Sequence, residues 1–159
     1  MDLTSKDYIL LNKINFDTRY KELSKKNQYD ITFENYSNEE VIKMMNMLGY
    51  TAKYFKNGNF FKIEEKLNDI IFYLNISLKY GLAEFIIGGT KAITKEFIYG
   101  GTFGNIFKDI KYFTNEETDQ GVNKPSFRNY DDLKVILKEA FSIYEDFKSE
   151  IIKQKEKDI

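Results

Sequence analysis

The chain has 159 residues, which fits one ordinary domain, and its 24 basic side chains nearly balance 25 acidic ones. It contains no cysteine and no histidine, which excludes disulfide bonds, thiolate nucleophiles, cysteine or histidine zinc sites, and histidine acid–base catalysis. We therefore expect a single domain, residues 1–159, that uses no cofactor and is not an enzyme.

The first helical signals are short. An apolar face for a first helix is available from Tyr8, Leu11 and Ile14 or Phe16. The polar, lysine-rich residues 18–27 predict a second short helix or a helix end. Residues 29–36 alternate between apolar and polar side chains, which predicts a half-buried strand.

The clearest helix boundary lies at residues 38–48. Ser37 and Glu40 have the spacing of a capping box, in which each side chain satisfies a free backbone amide at the helix start. Apolar residues then recur at helical spacing, and Gly49 stands where a glycine often ends a helix.

Residues 50–99 predict a run of antiparallel strands. The dipeptide Asn57-Gly58 separates residues 50–56 from residues 59–65, and it suits a type I′ hairpin turn because both residues tolerate a positive φ. Residues 70–80 alternate, with Tyr73 on the more polar of the two faces.

Glycine pairs punctuate the end of this region. Residues 82–87 predict a further strand, and Gly88-Gly89 is interpreted as the turn that follows it. Residues 91–99 then form another strand or an irregular arm, which Gly100-Gly101 ends.

The C-terminal part is mainly helical. Residues 102–112 carry a compact apolar face for a short helix, and a polar loop spans residues 113–129. Residues 130–156 predict the longest helix, with Asn129 as its N-cap and a continuous apolar stripe. The expected fold class is α+β: an antiparallel sheet of four to five strands with helices packed on one face and a long C-terminal helix.

Two Gly-Gly-Thr triplets, residues 88–90 and 100–102, attract attention as ligand-binding loops. The second precedes a helix start, which can hold an anion. The phosphate-binding loop ending in Gly-Lys-Ser/Thr and the dinucleotide fingerprint are both absent. The triplets are therefore interpreted as tight turns between strands.

Paired acidic residues do not predict a metal site, because a carboxylate-only site needs about three converging acids. Two of the four pairs, at positions 39–40 and 131–132, belong to helix starts. Glu64 and Glu65 lie on one strand and point to opposite faces.

Two features are candidates for partner binding. The loop of residues 114–123 is acidic, with Glu116, Glu117 and Asp119, and is either an ordinary surface connection or an arm that meets a basic partner. Tyr73 is either an interface residue, since tyrosine is favoured at interfaces, or a residue covered by a helix.

Charge and hydropathy argue against nucleic acid and membranes as binding partners. Arg19 and Arg128 are the only arginines, whereas nucleic-acid surfaces usually show a basic excess rich in arginine. The N-terminus has no secretory pattern, and the longest apolar stretches are too short to cross a bilayer. We expect a cytoplasmic protein that binds neither nucleic acid nor membrane.

Three segments carry a resemblance to a known family: FYLNISLKYGL (72–82), YGGTFGNIF (99–107) and PSFRNYDDLKVILKEAF (125–141). Together with the order of the predicted elements, they resemble small bacterial immunity proteins encoded beside polymorphic and contact-dependent growth inhibition toxins. The resemblance implies a protein that binds a cognate protein toxin, often a basic nuclease domain, and blocks its active site or an essential surface.

Two other functions stay open. One is a small-ligand-binding protein or a carboxylate-based enzyme that uses the sheet face and the glycine-rich turns as a pocket. The other is an accessory protein that inhibits a host factor by the same binding physics.

Overall fold

A computed structural model gives the fold of residues 3–117 and 121–158, which is α+β as predicted. The helices are α1 (Ser5–Lys13), α2 (Phe16–Lys26), α3 (Asn38–Met47), α4 (Phe103–Phe113) and α5 (Tyr130–Lys157). The strands are β1 (Ala52–Phe55), β2 (Phe60–Leu67), β3 (Ile70–Ser77), β4 (Glu84–Lys91) and β5 (Phe97–Thr102). They form one antiparallel sheet in the order β1-β2-β3-β4-β5.

The core lies between one face of this sheet and the helices. Alternate residues of β3, from Ile70 to Ile76, are buried, because the period of two in a strand sends them all to the helical side. Helix α4 contacts β4 and β5, and α5 contacts β4, while α1 and α2 pack behind them. The prediction of helices on one face of the sheet is confirmed.

The predicted helix starts are largely confirmed. The side chain of Asn129 accepts a hydrogen bond from the Asp132 amide at 2.8 Å, and that of Ser37 accepts one from the Glu40 amide at 3.4 Å. The capping box at Ser37 is only half formed, because the Ser37 amide donates instead to the hydroxyl of Tyr130 at 2.8 Å.

The strand predicted at residues 29–36 is wrong. This segment is irregular and runs beside residues 126–127, where the Phe33 amide donates to the carbonyl of Phe127 at 2.9 Å. The ring of Phe33 packs edge-to-face on that of Tyr130, with centroids 4.9 Å apart. The alternation does not describe the packing either, because Ile31 is 76% exposed.

The glycine pairs are not turns, which corrects the interpretation of both triplets. Gly88 and Gly89 lie within β4, and Gly100 and Gly101 lie within β5, with Gly88 directly opposite Gly100. Neighbouring side chains occupy the space that a side chain at these positions would need. A Cβ added to Gly89 would lie 3.3 Å from Phe72, and one added to Gly101 would lie 3.3 Å from Ile106.

The hairpin turns also differ from the prediction. Phe55 pairs with Phe60, so a four-residue loop joins β1 and β2, with positive φ at Gly58 (87°) and Asn59 (50°) but not at Asn57. The two-residue turn with positive φ at both central positions lies between β2 and β3, at Asn68 (49°) and Asp69 (63°).

Candidate functional site

The sheet face turned away from the helices, here called the open face, is the leading candidate for a binding surface. Its residues in β3 are half-buried, in contrast to the buried ones on the other side. The helices that contact the sheet pack through its buried side, and the described residues place none of them over this face. An uncovered sheet face with large apolar groups is a surface that another molecule can bury.

An aromatic patch crosses the centre of the open face, where Tyr73 covers a glycine. A Cβ on Gly88 would lie only 2.3 Å from the ring of Tyr73, so the ring rests directly on the backbone of β4. Gly100, opposite Gly88, would bring a Cβ within 3.4 Å of the ring of Phe97, which is 50% exposed. The glycines thus let two aromatic rings lie against the sheet backbone.

The β1–β2 side of the open face combines aromatic rings with lysines. Phe55 and Phe60 are stacked with centroids 5.1 Å apart, and Phe55 is 40% exposed. Lys62 pairs with Glu64 at 3.3 Å and lies 5.9 Å from the ring centre of Tyr73. The strand register places Lys53 and Lys66 on the same face, and neither makes an ion pair within the described residues. This side of the face is basic.

A shallow hollow of about 220 Å³ adjoins the aromatic patch. Phe60, Asn75 and Ile86 line it together with Lys79 and Glu84. The side-chain oxygen of Asn75 has no hydrogen-bond partner in the described part of the chain. A hollow next to exposed rings is a place where a partner's anchoring side chain can insert.

The acidic loop lies elsewhere. Thr114 donates to the carboxylate of Glu116 at 2.7 Å, and Lys111 pairs with it at 3.3 Å. Since Lys111 also pairs with Asp17 of α2 at 3.5 Å, this end of α4 belongs to the helical side. Glu117 is exposed, and Asp119 lies outside the described residues. The structure therefore does not bring Glu116 and Glu117 together with Tyr73, which is on the open face.

A buried polar cluster lies on the helical side of the sheet. Lys148 is only 4% exposed and pairs with Glu65 at 2.7 Å and with Glu145 at 2.9 Å. Tyr50 donates to Glu145 at 2.6 Å, and the Lys148 ammonium lies 4.4 Å from the ring centre of Tyr144. Through its pair with Glu65, Lys148 ties α5 to β2.

The described residues contain no group of three or more acidic side chains placed to hold a cation. As the register of β2 requires, Glu64 is on the open face and Glu65 on the helical face. Within the same residues, no helix combines the length and apolar character needed to cross a membrane.

Comparisons with protein-family models, curated proteins and solved structures gave no significant match to this chain.

Several carboxyl and tyrosine groups have pKa values shifted away from neutral pH. Hydrogen bonds from Arg128 lower the pKa of Asp132, and those from Thr114 and Lys111 lower that of Glu116. Burial, followed by the charge of Glu84, raises the pKa of Tyr20 to about 12, and burial also raises the pKa of Tyr99. Histidine is absent.

We predict that the free energy of unfolding is constant from about pH 6 to about pH 9. It should fall in acid, because carboxylates with lowered pKa values stabilise the fold only while ionised. It should also fall above pH 10, the ordinary tyrosine pKa, because the unfolded chain then loses phenol protons that the folded chain keeps. Urea unfolding across a pH series measures this, and a step in stability between pH 6 and pH 8 would contradict it.

Proposed function

We propose that this protein binds a protein toxin on its open face and thereby neutralises it. The observation that carries the proposal is the open face itself, where Tyr73 and Phe97 lie against a glycine-lined backbone beside a hollow. Clustered aromatic residues around a pocket are typical of the energetic centre of protein interfaces. The resemblance to immunity proteins supports a toxin as the partner.

Charge complementarity supports a particular orientation of the toxin. Lys53 and Lys66 are exposed without ion-pair partners in the described chain, and Lys62 lies between them on the same face. Enzymes that hydrolyse nucleic acids commonly hold metal ions with active-site carboxylates. We therefore place an acidic active-site region of the toxin over the β1–β2 side, where lysines would occupy it and exclude substrate.

The experiment is co-expression with the toxin candidate encoded by the adjoining reading frame. The wild-type protein should suppress toxicity, and the double charge reversal Lys53→Glu/Lys66→Glu should abolish suppression, because like charges across an interface are strongly unfavourable. The matched control is Lys134→Glu/Lys138→Glu, which makes the same charge change at exposed positions of α5 and should still protect.

Two results of the co-expression experiment would overturn the proposal. One is that the adjoining product is neither toxic nor bound. The other is that Glu117→Lys, in the acidic loop, abolishes protection while the reversal at Lys53 and Lys66 does not, which would move the interface to the loop. Aromatic rings and lysines can also bind single-stranded RNA. If the wild-type protein bound such RNA and the Lys53→Glu/Lys66→Glu variant did not, the open face would be an RNA-binding surface, and a protein partner would be contradicted.

A further inference from the structure

A cleft of about 250 Å³ lies where β5 passes into α4. The first turn of α4 forms one wall, with Gly104 and Asn105, and residues 122–124 form another. Tyr20 of α2 lies at its base and Glu84 of β4 at its rim. The cleft includes the end of the acidic loop, at Val122 and Asn123, and shares Glu84 with the hollow beside the aromatic patch.

The start of α4 presents free backbone donors to this cleft. Thr102 caps the helix by accepting a hydrogen bond from the Asn105 amide at 3.1 Å. Helix geometry leaves the amides of Phe103 and Gly104 without an intrahelical acceptor, and the helix dipole makes this end positive. An added Cβ on Gly104 would lie 3.6 Å from the Tyr20 hydroxyl, so glycine keeps the approach to these amides open.

Tyr20 gives an independent indication of a ligand. The residue is only 4% exposed, and its ring packs among the rings of Phe16, Phe103 and Phe107. Its hydroxyl makes no hydrogen bond with any described residue, although the side chain lines the cleft. The hydroxyl is therefore the one polar end of an otherwise buried side chain, and it faces the cleft, where it can donate to a bound ligand.

Both basic and acidic side chains line the cleft. Lys108 of α4 makes no ion pair within the described residues, and so its ammonium is available to an anion. Lys124 pairs with Glu84 at 3.0 Å. The helix start, Tyr20 and Lys108 therefore offer donors to an acidic group, while Glu84 offers an acceptor to a hydroxyl or amine of the same molecule.

We propose that this cleft binds a small ligand through a carboxylate or phosphate group. The oxyanion accepts hydrogen bonds from the first amides of α4 and from the Tyr20 hydroxyl, and it pairs with Lys108. The glycine that opens the helix start is required here for access rather than for a turn. Glu84 is shared with the hollow of the open face, but the residues that bind the anion are not among the aromatic rings or lysines of that face, so anion binding can be tested without the toxin.

The test is an NMR titration of the full chain with inorganic phosphate and, separately, with acetate. Sodium chloride at matched ionic strength serves as the reference. Saturable movement of the Gly104 amide signal with either anion is expected, and Tyr20→Phe should weaken binding about tenfold, the usual value of a hydrogen bond to a charged group. Tyr112→Phe is the matched control, since Tyr112 is 79% exposed near the C-terminal end of α4 and does not line this cleft.

Lys108→Gln should also weaken both anions, and Lys138→Gln should leave their affinity unchanged. Movement of the Gly104 signal that does not saturate, or that chloride reproduces, would overturn the proposal. Equal affinity in Tyr20→Phe and Tyr112→Phe would overturn it as well.

Discussion

Gly100→Ala is expected to destabilise the protein by about 2–3 kcal/mol, near the upper end of the usual cost of overpacking. A Cβ at this position would lie 2.6 Å from the carbonyl oxygen of Ile87 and 3.0 Å from the Cα of Gly88. Both atoms belong to the backbone of β4, so no side-chain rotation relieves the contact, and β4 and β5 must separate locally. Urea unfolding monitored by circular dichroism measures the loss.

Gly104→Ala is the matched control for this substitution. Its Cβ would meet nothing closer than the Tyr20 hydroxyl at 3.6 Å, an ordinary contact distance. Since alanine is the better helix former by about 1 kcal/mol, this variant should be as stable as the wild type or slightly more so. If Gly100→Ala unfolded at the same urea concentration as the wild type, the close pairing of Gly88 with Gly100 would be wrong.

The sequence was sufficient to predict those features of the fold that depend on residues close together in the chain. The alternation of β3 gives its two faces, and Ser37 and Asn129 mark helix starts through contacts only three residues away. The same alternation failed at residues 29–36, because the hydrogen bonds of that segment go to residues almost a hundred positions later. A short alternation of apolar and polar residues is therefore not sufficient evidence for a strand.

The glycine pairs failed for a related reason. A glycine is needed at a turn with positive φ and also where a neighbouring ring lies on the backbone, and the sequence does not separate these uses. Only the register of β3, β4 and β5 places Tyr73 over Gly88 and Gly100 beside Phe97. Register depends on pairing between distant residues, so Phe97 and the Phe55–Phe60 stack were not predicted as parts of the site.

Tyr73 illustrates how far the candidate site could be predicted. Its place on the more polar face of β3 is confirmed, whereas its role in binding stays a prediction. Glu116 was assigned to an acidic loop that is either a surface connection or a partner-binding arm; its carboxylate pairs with Lys111 and accepts from Thr114, and its role in binding stays a prediction. The cleft residue Tyr20 gave no signal, because its importance depends on an unpaired hydroxyl that only the packing of α2 against α4 reveals.

Tyr73→Ala is expected to weaken toxin binding by about 2 kcal/mol, or roughly thirtyfold in the dissociation constant, as for a central aromatic residue of an interface. The ring is half-buried across Gly88 in the free protein, so a partner finds it already in place and loses little entropy on docking. Gly88→Ala should also weaken binding, because its Cβ would stand 2.3 Å from the ring and force Tyr73 to move. Isothermal titration calorimetry with the purified toxin domain measures both effects.

The most direct test of the open face as the binding surface is the toxin affinity of Tyr73→Ala beside that of Tyr112→Ala. Tyr112 is the more exposed of the two tyrosines and lies on α4, on the helical side of the sheet. With both variants confirmed as folded by circular dichroism, Tyr73→Ala should lose about thirtyfold in affinity, and Tyr112→Ala should bind like the wild type. Wild-type affinity in Tyr73→Ala together with a large loss in Tyr112→Ala would contradict the account and place the toxin on the helices.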